Sequence, residues 1–204
     1  MRPQLKEEEI MKKIGIFAAL LVVAFAGIVA ARMPQADDSL KTPRLTTKPD
    51  QKMLVVEAKG DPNTAGQAAF GLLFKTFFSL PGVQMAPPRA RWSGEFTAAK
   101  DSWTGFYALP LPATVTAIPA GLQGVKIEIW KYGEVAEILH LGPYDTETAT
   151  IETLHQFIKD RGYVIDGLHE EEYLVGPGMG AQPAAFRTMI RYQVKKKQGP
   201  RTRG

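Results

Sequence analysis

The sequence predicts an α+β fold. Duplicated strand–helix–strand–strand units form one antiparallel sheet, with two helices on one face and a ligand groove on the other. Three observations predict it. Two stretches of the body carry apolar residues at helical spacing: Phe70, Leu73, Phe74 and Phe77, then Ile151, Leu154, Phe157 and Ile158. A strand-like run precedes each stretch and two follow it. Pro81-Gly82, Gly142-Pro143 and Gly162 punctuate the units where helices and strands must stop.

Residues 1–13 are polar, with Glu7, Glu8 and Glu9 in a row. Residues 14–31 are uncharged and strongly apolar, between Lys12-Lys13 and Arg32. A spanning helix needs about 20 apolar residues. Two readings follow: a transmembrane anchor, or a signal peptide starting effectively at Met11. The anchor reading makes the chain a single-pass membrane protein with its folded domain outside the cytoplasm. Residues 32–51 hold Pro34, Pro43 and Pro49 without apolar period and read as a linker.

The folded body spans residues 52–194. Met53 to Lys59 reads as a strand. Asp61-Pro62 opens a helix, with Asp as cap and Pro at the first helical position. Ala90 to Phe96 and Trp103 to Leu109 read as strands around a turn near residues 98–101. Val125 to Leu141 reads as one long strand bent or bulged at Gly133. Asp145 is placed to cap the second helix. Leu168 to Val175 and Phe186 to Val194 are the last strands. Residues 195–204 form a basic tail with five of the chain's Lys and Arg residues, so the net charge of +4 is largely a tail property. The near-neutral body carries no basic, aromatic-interleaved surface for nucleic acid.

The absence of cysteine excludes disulfides, thiolate metal sites and a Cys nucleophile. His140, His155 and His169 do not stand at a metal-binding spacing, and no phosphate loop or nucleophile elbow appears. No cofactor is implied. No histidine stands out as an axial ligand, which argues against haem.

Strand alternation places several acidic and aromatic residues on common faces. Glu171 and Tyr173 share one strand face, Trp130 and Tyr132 another, and Trp103 and Tyr107 a third, with Gly105 between the last pair. Trp92 joins them. Such ring pairs serve a core as readily as a pocket. Gly105 either marks a bulge or leaves a gap where a ligand can approach the backbone.

His140-Leu-Gly-Pro-Tyr144, the helix after it, Gly162-Tyr163 and Glu171-Glu-Tyr-Leu174, in that order and spacing, resemble the GyrI-like small-molecule-binding family. That family includes the effector-binding domains of bacterial multidrug-responsive transcription activators. The resemblance covers residues 125–194 well and 52–111 loosely. It implies a duplicated fold, a ligand groove between the halves, and an acid facing that groove, which maps to Glu171. Glu172 departs from the family's usual apolar residue. A buried carboxylate is costly unless paired, so the expected partner is an apolar or cationic small molecule, held by Glu171 as counter-charge and by the surrounding rings. The competing reading is a hydrolase of reactive small molecules, with Glu171 as general base and Tyr173 or Tyr107 as proton donor.

Overall fold

The computed structural model describes residues 38–93 and 99–198. Among them lie nine strands: β1 (Arg44–Lys48), β2 (Gln51–Lys59), β3 (Arg89–Ser93), β4 (Thr104–Pro110), β5 (Val125–Trp130), β6 (Gly133–Leu141), β7 (Tyr163–Ile165), β8 (His169–Val175) and β9 (Arg187–Lys196). Two α-helices accompany them, α1 (Pro62–Phe78) and α2 (Thr148–Asp160). The strands pair antiparallel in the order β1-β6-β9-β8-β3-β4-β2-β5, with β7 alongside β9. The fold is α+β, as the sequence predicts.

This order carries an internal symmetry. The units β2-α1-β3-β4 and β6-α2-β8-β9 meet where β3 pairs with β8. Both helices cover the same side of the sheet. α1 packs Leu73 and Phe77 onto Leu54, Val56, Ala90 and Leu109. α2 packs Ile151, Leu154 and Ile158 onto Ala136, Ile138, Ile190 and Tyr192. Leu73, Phe77 and Leu154 are fully shielded, and each such burial contributes about 1.5–3 kcal/mol.

Several elements depart from the sequence expectation. Residues 125–141 form two strands rather than one bent strand. β5 pairs with β2 at one edge, while β6 pairs with β1 and β9 near the other. Gly133 makes the break possible, with φ +69. Within the stretch read as a linker, β1 joins the sheet. Leu45 is its one apolar residue, so no period marks it. Its Arg44 pairs with Glu137 of β6 at 2.6 Å, directly opposite. β9 runs to Lys196, and Lys195 pairs with Asp166. Asp145 does not begin α2. It sits in a 3-10 turn over Tyr144–Thr146, and the cap position falls to Glu147, whose side chain makes no capping bond.

The membrane localisation read from residues 14–31 is corrected. No helix among the described residues is long and apolar enough to cross a membrane. The longest, α1, has 17 residues and reaches about 26 Å, short of the ~30 Å hydrocarbon core. Residues 14–31 themselves lie outside the described residues, as do residues 94–98, which include the end of the expected strand and the first residue of the expected turn, and residues 199–204 of the tail.

The helix-free face, where the sequence predicts the groove, carries a ladder of charge that is largely buried except at its Arg44 end. Arg91, Glu170, Arg191, Glu137 and Arg44 stand opposite one another in turn across β3, β8, β9, β6 and β1. Arg191 donates to Glu170 at 2.6 Å, Glu137 at 2.8 Å and Glu172 at 3.0 Å. Arg91 completes Glu170 at 2.7 Å, and Arg89 reaches Glu172 at 3.3 Å. The link from β5 to β6 crosses this face. Tyr132 accepts from Arg89 and donates to Glu170, and the Arg91 guanidinium stacks 4.1 Å from the Trp130 ring.

Burial pushes Glu137 and Glu172 upward, but the facing arginines win and hold both carboxyls below their ordinary range. Burial likewise opposes the charge on Arg191, and its three carboxylates more than offset it. For Glu137 and Glu172 the folded pKa lies below the unfolded one. Their contribution is therefore complete above about pH 4.5 and is lost as pH falls through the folded values. Urea unfolding is expected to show Arg191→Met destabilised by about 3–5 kcal/mol near neutral pH, because three carboxylates lose their shared cation. Much of that deficit should vanish in acid, where the carboxyls protonate.

Candidate functional site

The three consecutive acids Glu170, Glu171 and Glu172 do not act together. Alternation along β8 sends Glu170 and Glu172 into the ladder and Glu171 to the helix side. There Glu171 lies in one cross-strand row with Tyr107, Ala90 and Ile190. Ala90 separates Tyr107 from Glu171. With strands about 4.8 Å apart, those two backbones stand roughly 10 Å from each other. A methyl between a phenol and a carboxylate leaves the floor low at the seam of the two halves.

Glu171 is firmly held. His169 Nε2 meets Oε1 at 2.9 Å, and the Tyr173 hydroxyl donates to Oε2 at 2.6 Å. Behind them, the Tyr192 hydroxyl pairs with His169 Nδ1 at 2.7 Å. Burial raises the Glu171 pKa, but His169, Tyr173 and Glu147 outweigh it and keep the carboxyl below its ordinary value. Its side chain retains 12% exposure.

Sequence reasoning missed Glu147. An acid at a helix start ordinarily reads as solvent-facing support for the helix dipole. Here the backbone is already helical at that position, so the side chain is released from capping and turns inward. It is 5% exposed, lies close enough to Glu171 for the two carboxyls to interact, and leaves Oε1 without a partner in the protein. The Thr188 hydroxyl lies alongside it without reaching hydrogen-bond geometry. Burial, then the negative charge of Glu171, push the Glu147 pKa up to about 9. Two carboxyls in one buried place cannot both ionise cheaply, so Glu147 holds the proton and Glu171 the charge.

Aromatic rings surround the pair. Phe70 of α1 stands edge-on to Tyr107 at 4.9 Å and to Tyr173 at 6.0 Å. Tyr144 packs against Tyr173 at 5.7 Å and Phe186 at 5.3 Å, and is 38% exposed. Burial, then the charge of Glu171, raise both Tyr107 and Tyr144 to about 12. The Tyr107 hydroxyl is buried without a partner, against Gly66 of α1.

Of the predicted site residues, Glu171, Tyr173 and Tyr107 come together, and Trp92 and Trp103 back them. The Trp92 ring lies 5.3 Å from Tyr107 and 6.2 Å from Trp103. The space at Gly105 is not open. A Cβ there would stand 2.6 Å from Trp92 Cζ3 and 2.7 Å from Tyr107 Cε2, so the two rings occupy it. Trp130 and Tyr132 lie elsewhere, on the ladder face with Met53 and Val55. His140 is a satisfied core residue that bonds Thr150 and the Pro143 carbonyl. No group of metal-ligating side chains occurs among the described residues. A notch of about 400 Å³, lined by Pro81, Gly82 and residues 114–117, carries no titratable side chain, and none of its lining residues belongs to the Glu171 cluster.

The inward turn of Glu147 has a thermodynamic signature. Its folded pKa lies above the unfolded one, so the native state binds the extra proton and loses stability as pH rises from about 4.5 toward 9. Glu147→Gln keeps the shape without the ionisation. Its Tm at pH 8 is expected to exceed the wild type by about 3 °C or more, which corresponds to roughly 1 kcal/mol in a domain of this size. At pH 4 the two should coincide.

No family model and no curated protein matches this chain. Solved structures do. An uncharacterized conserved protein from Listeria innocua superposes with TM-score 0.63 at 23% identity, covering 76% of this chain and 93% of its own. A hydrolase from Listeria innocua superposes with TM-score 0.60 at 23% identity, covering 76% and 92%. The EcmrR C-terminal domain superposes with TM-score 0.64 at 16% identity, covering 76% and 98%. At these identities the likeness is one of fold, and it fits the GyrI-like architecture that the sequence resembles.

Proposed function

We propose that the chain is a small-molecule-binding domain whose ligand lies on the helix side of the β3–β8 seam. The observation that carries this reading is Glu171: an ionised carboxylate, nearly buried, ringed by Tyr173, Phe70, Tyr107 and Tyr144, with no Lys or Arg hydrogen-bonded to it among the described residues. The ladder shows the contrast. There each buried carboxylate has an arginine. His169 Nε2 is the protein group that pairs with Glu171, at 2.9 Å. A hydrophobic cation would add the permanent positive charge that no Lys or Arg among the described residues gives it, and the rings would add about 0.5–2 kcal/mol each through cation–π contact. Trp92 and Trp103 support the Tyr107 wall. Trp130 and Tyr132 are not assigned to the site. Isothermal titration of the full chain with tetraphenylphosphonium is expected to show binding that weakens by about 30-fold or more in Glu171→Gln, as when one partner of a desolvated charge pair is removed. Equal binding by both proteins would remove Glu171 from the reading.

A second reading is hydrolysis of a strained, reactive electrophile. The protonated Glu147 beside the ionised Glu171 favours it. Glu171 would take a proton from the attacking water as the carbon–heteroatom bond breaks, and the leaving heteroatom would be protonated by Glu147. A group near 9 is a better acid at neutral pH than Tyr107 near 12. One structural neighbour is named a hydrolase, which supports testing it. If this reading holds, opening of an epoxide such as styrene oxide to its diol should fall at least about 100-fold in both Glu171→Gln and Glu147→Gln. Diol formation at the buffer rate by the wild type would leave binding alone.

A further inference from the structure

We infer that Glu147 and Glu171 form a single carboxyl pair that takes its cationic ligand in exchange for a proton, so that capture is coupled to proton release. The inference rests on the binding reading above and adds a second acid to it.

The geometry requires the two acids to act together. Glu147 comes from the start of α2 and Glu171 from the middle of β8, yet both carboxyls are buried in the same cluster with Tyr144 and Tyr173, close enough to interact. Glu147 is 95% shielded, and its Oε1 finds no donor in the protein. A helix-start acid that gives up both capping and solvent loses two ordinary sources of stabilisation. A cation placed against Glu171 would serve Glu147 as well. The groups that face Glu147 are Glu171 and Tyr173 on β8 and Tyr144 in the preceding turn. Behind Glu171 stand His169, Tyr192 and Tyr107. Burial and the charge of Glu171 hold the proton on Glu147 up to about pH 9. An opposite charge within about 4–6 Å draws a carboxyl's pKa down by about 1–3. Near pH 8 the free pair is therefore protonated, whereas the liganded pair loses much of that proton. The pair then carries two negative charges against the ligand instead of one.

The sign follows from linkage. The liganded state binds fewer protons, so affinity rises with pH until the free pair ionises by itself. Tetraphenylphosphonium is a suitable probe, since it has no proton of its own to lose. Titrations of the full chain at pH 8, in buffers of different ionisation enthalpy, should show release of about half to one proton per ligand bound. The affinity of the wild type should rise about tenfold between pH 7 and 8.5. Glu147→Gln should still bind, release no proton, and show a flat profile over that range. Wild-type binding that depends on Glu171 but releases no proton would overturn the exchange and leave the binding reading intact. Proton release that persists in Glu147→Gln would move the titration to another group and also overturn it. Failure of the wild type to bind, or binding indifferent to Glu171→Gln, would remove the binding reading, and the exchange with it.

Discussion

Arg191 is the group on which the rest of the arrangement depends. It is 3% exposed and reaches three carboxylates from two neighbouring strands. Its own solvation is lost, and so is theirs, so the ladder is not a simple gain in stability. Pairs of this kind roughly break even against an apolar core. What the ladder supplies is register. A slip of one residue in β8 would swing Glu170 and Glu172 to the helix side and drive Glu171 into the arginines. Each ladder residue stands opposite its partner across five strands, so a slip of β8, β9 or β6 breaks two pairings at once. The apolar faces alone specify β8 weakly, because its HEEEYLV run has little alternation to follow.

Register in turn decides electrostatics on the other face. With Glu170 and Glu172 neutralised beneath the sheet, Glu171 faces the helices without an arginine. Its negative charge, together with burial, keeps the proton on Glu147. The same sheet thus holds two regimes one residue apart. On one face charge is balanced by fixed arginines. On the other a carboxylate is positioned by His169 and Tyr173 with no arginine beside it among the described residues. Phe70 and Tyr144 make that side apolar, which strengthens any charge interaction formed there. Binding and hydrolysis are both consistent with such a place, and both draw on the same difference in protonation between the two acids.

The pairing of Glu171 with Tyr173 was legible because strand alternation is a local rule. So were the two helices, whose apolar spacing survives in the sequence, and the satisfied state of His140. The reach of that rule ends at the strand. It puts Trp130 and Tyr132 on a common face but does not say which face of the sheet that is, and they fall on the ladder side. Gly105 left a bulge and a gap both open, and rings from β3 and β4 fill the space beside it. Glu147 offered no signal at all, since its inward turn follows from a 3-10 turn that makes its backbone helical before the helix proper begins. β1 was hidden for a similar reason. Its place is set by Arg44 meeting Glu137, 93 residues away.

The resemblance to the GyrI-like family, not any local pattern, singled out Glu171 from its two neighbours. By itself the sequence determined the α+β class and the two helices, each with strands before and after it. These depend on periodicity and turn residues, which act over a few positions along the chain. Only the tertiary structure decided that Glu170 and Glu172 belong to a charge ladder, that β5 and β6 part to opposite regions of the sheet, and that a second acid joins the first. Those outcomes depend on which strands lie side by side. Strand order is a property of long-range pairing, and no local pattern in the chain encodes the partner on the other side.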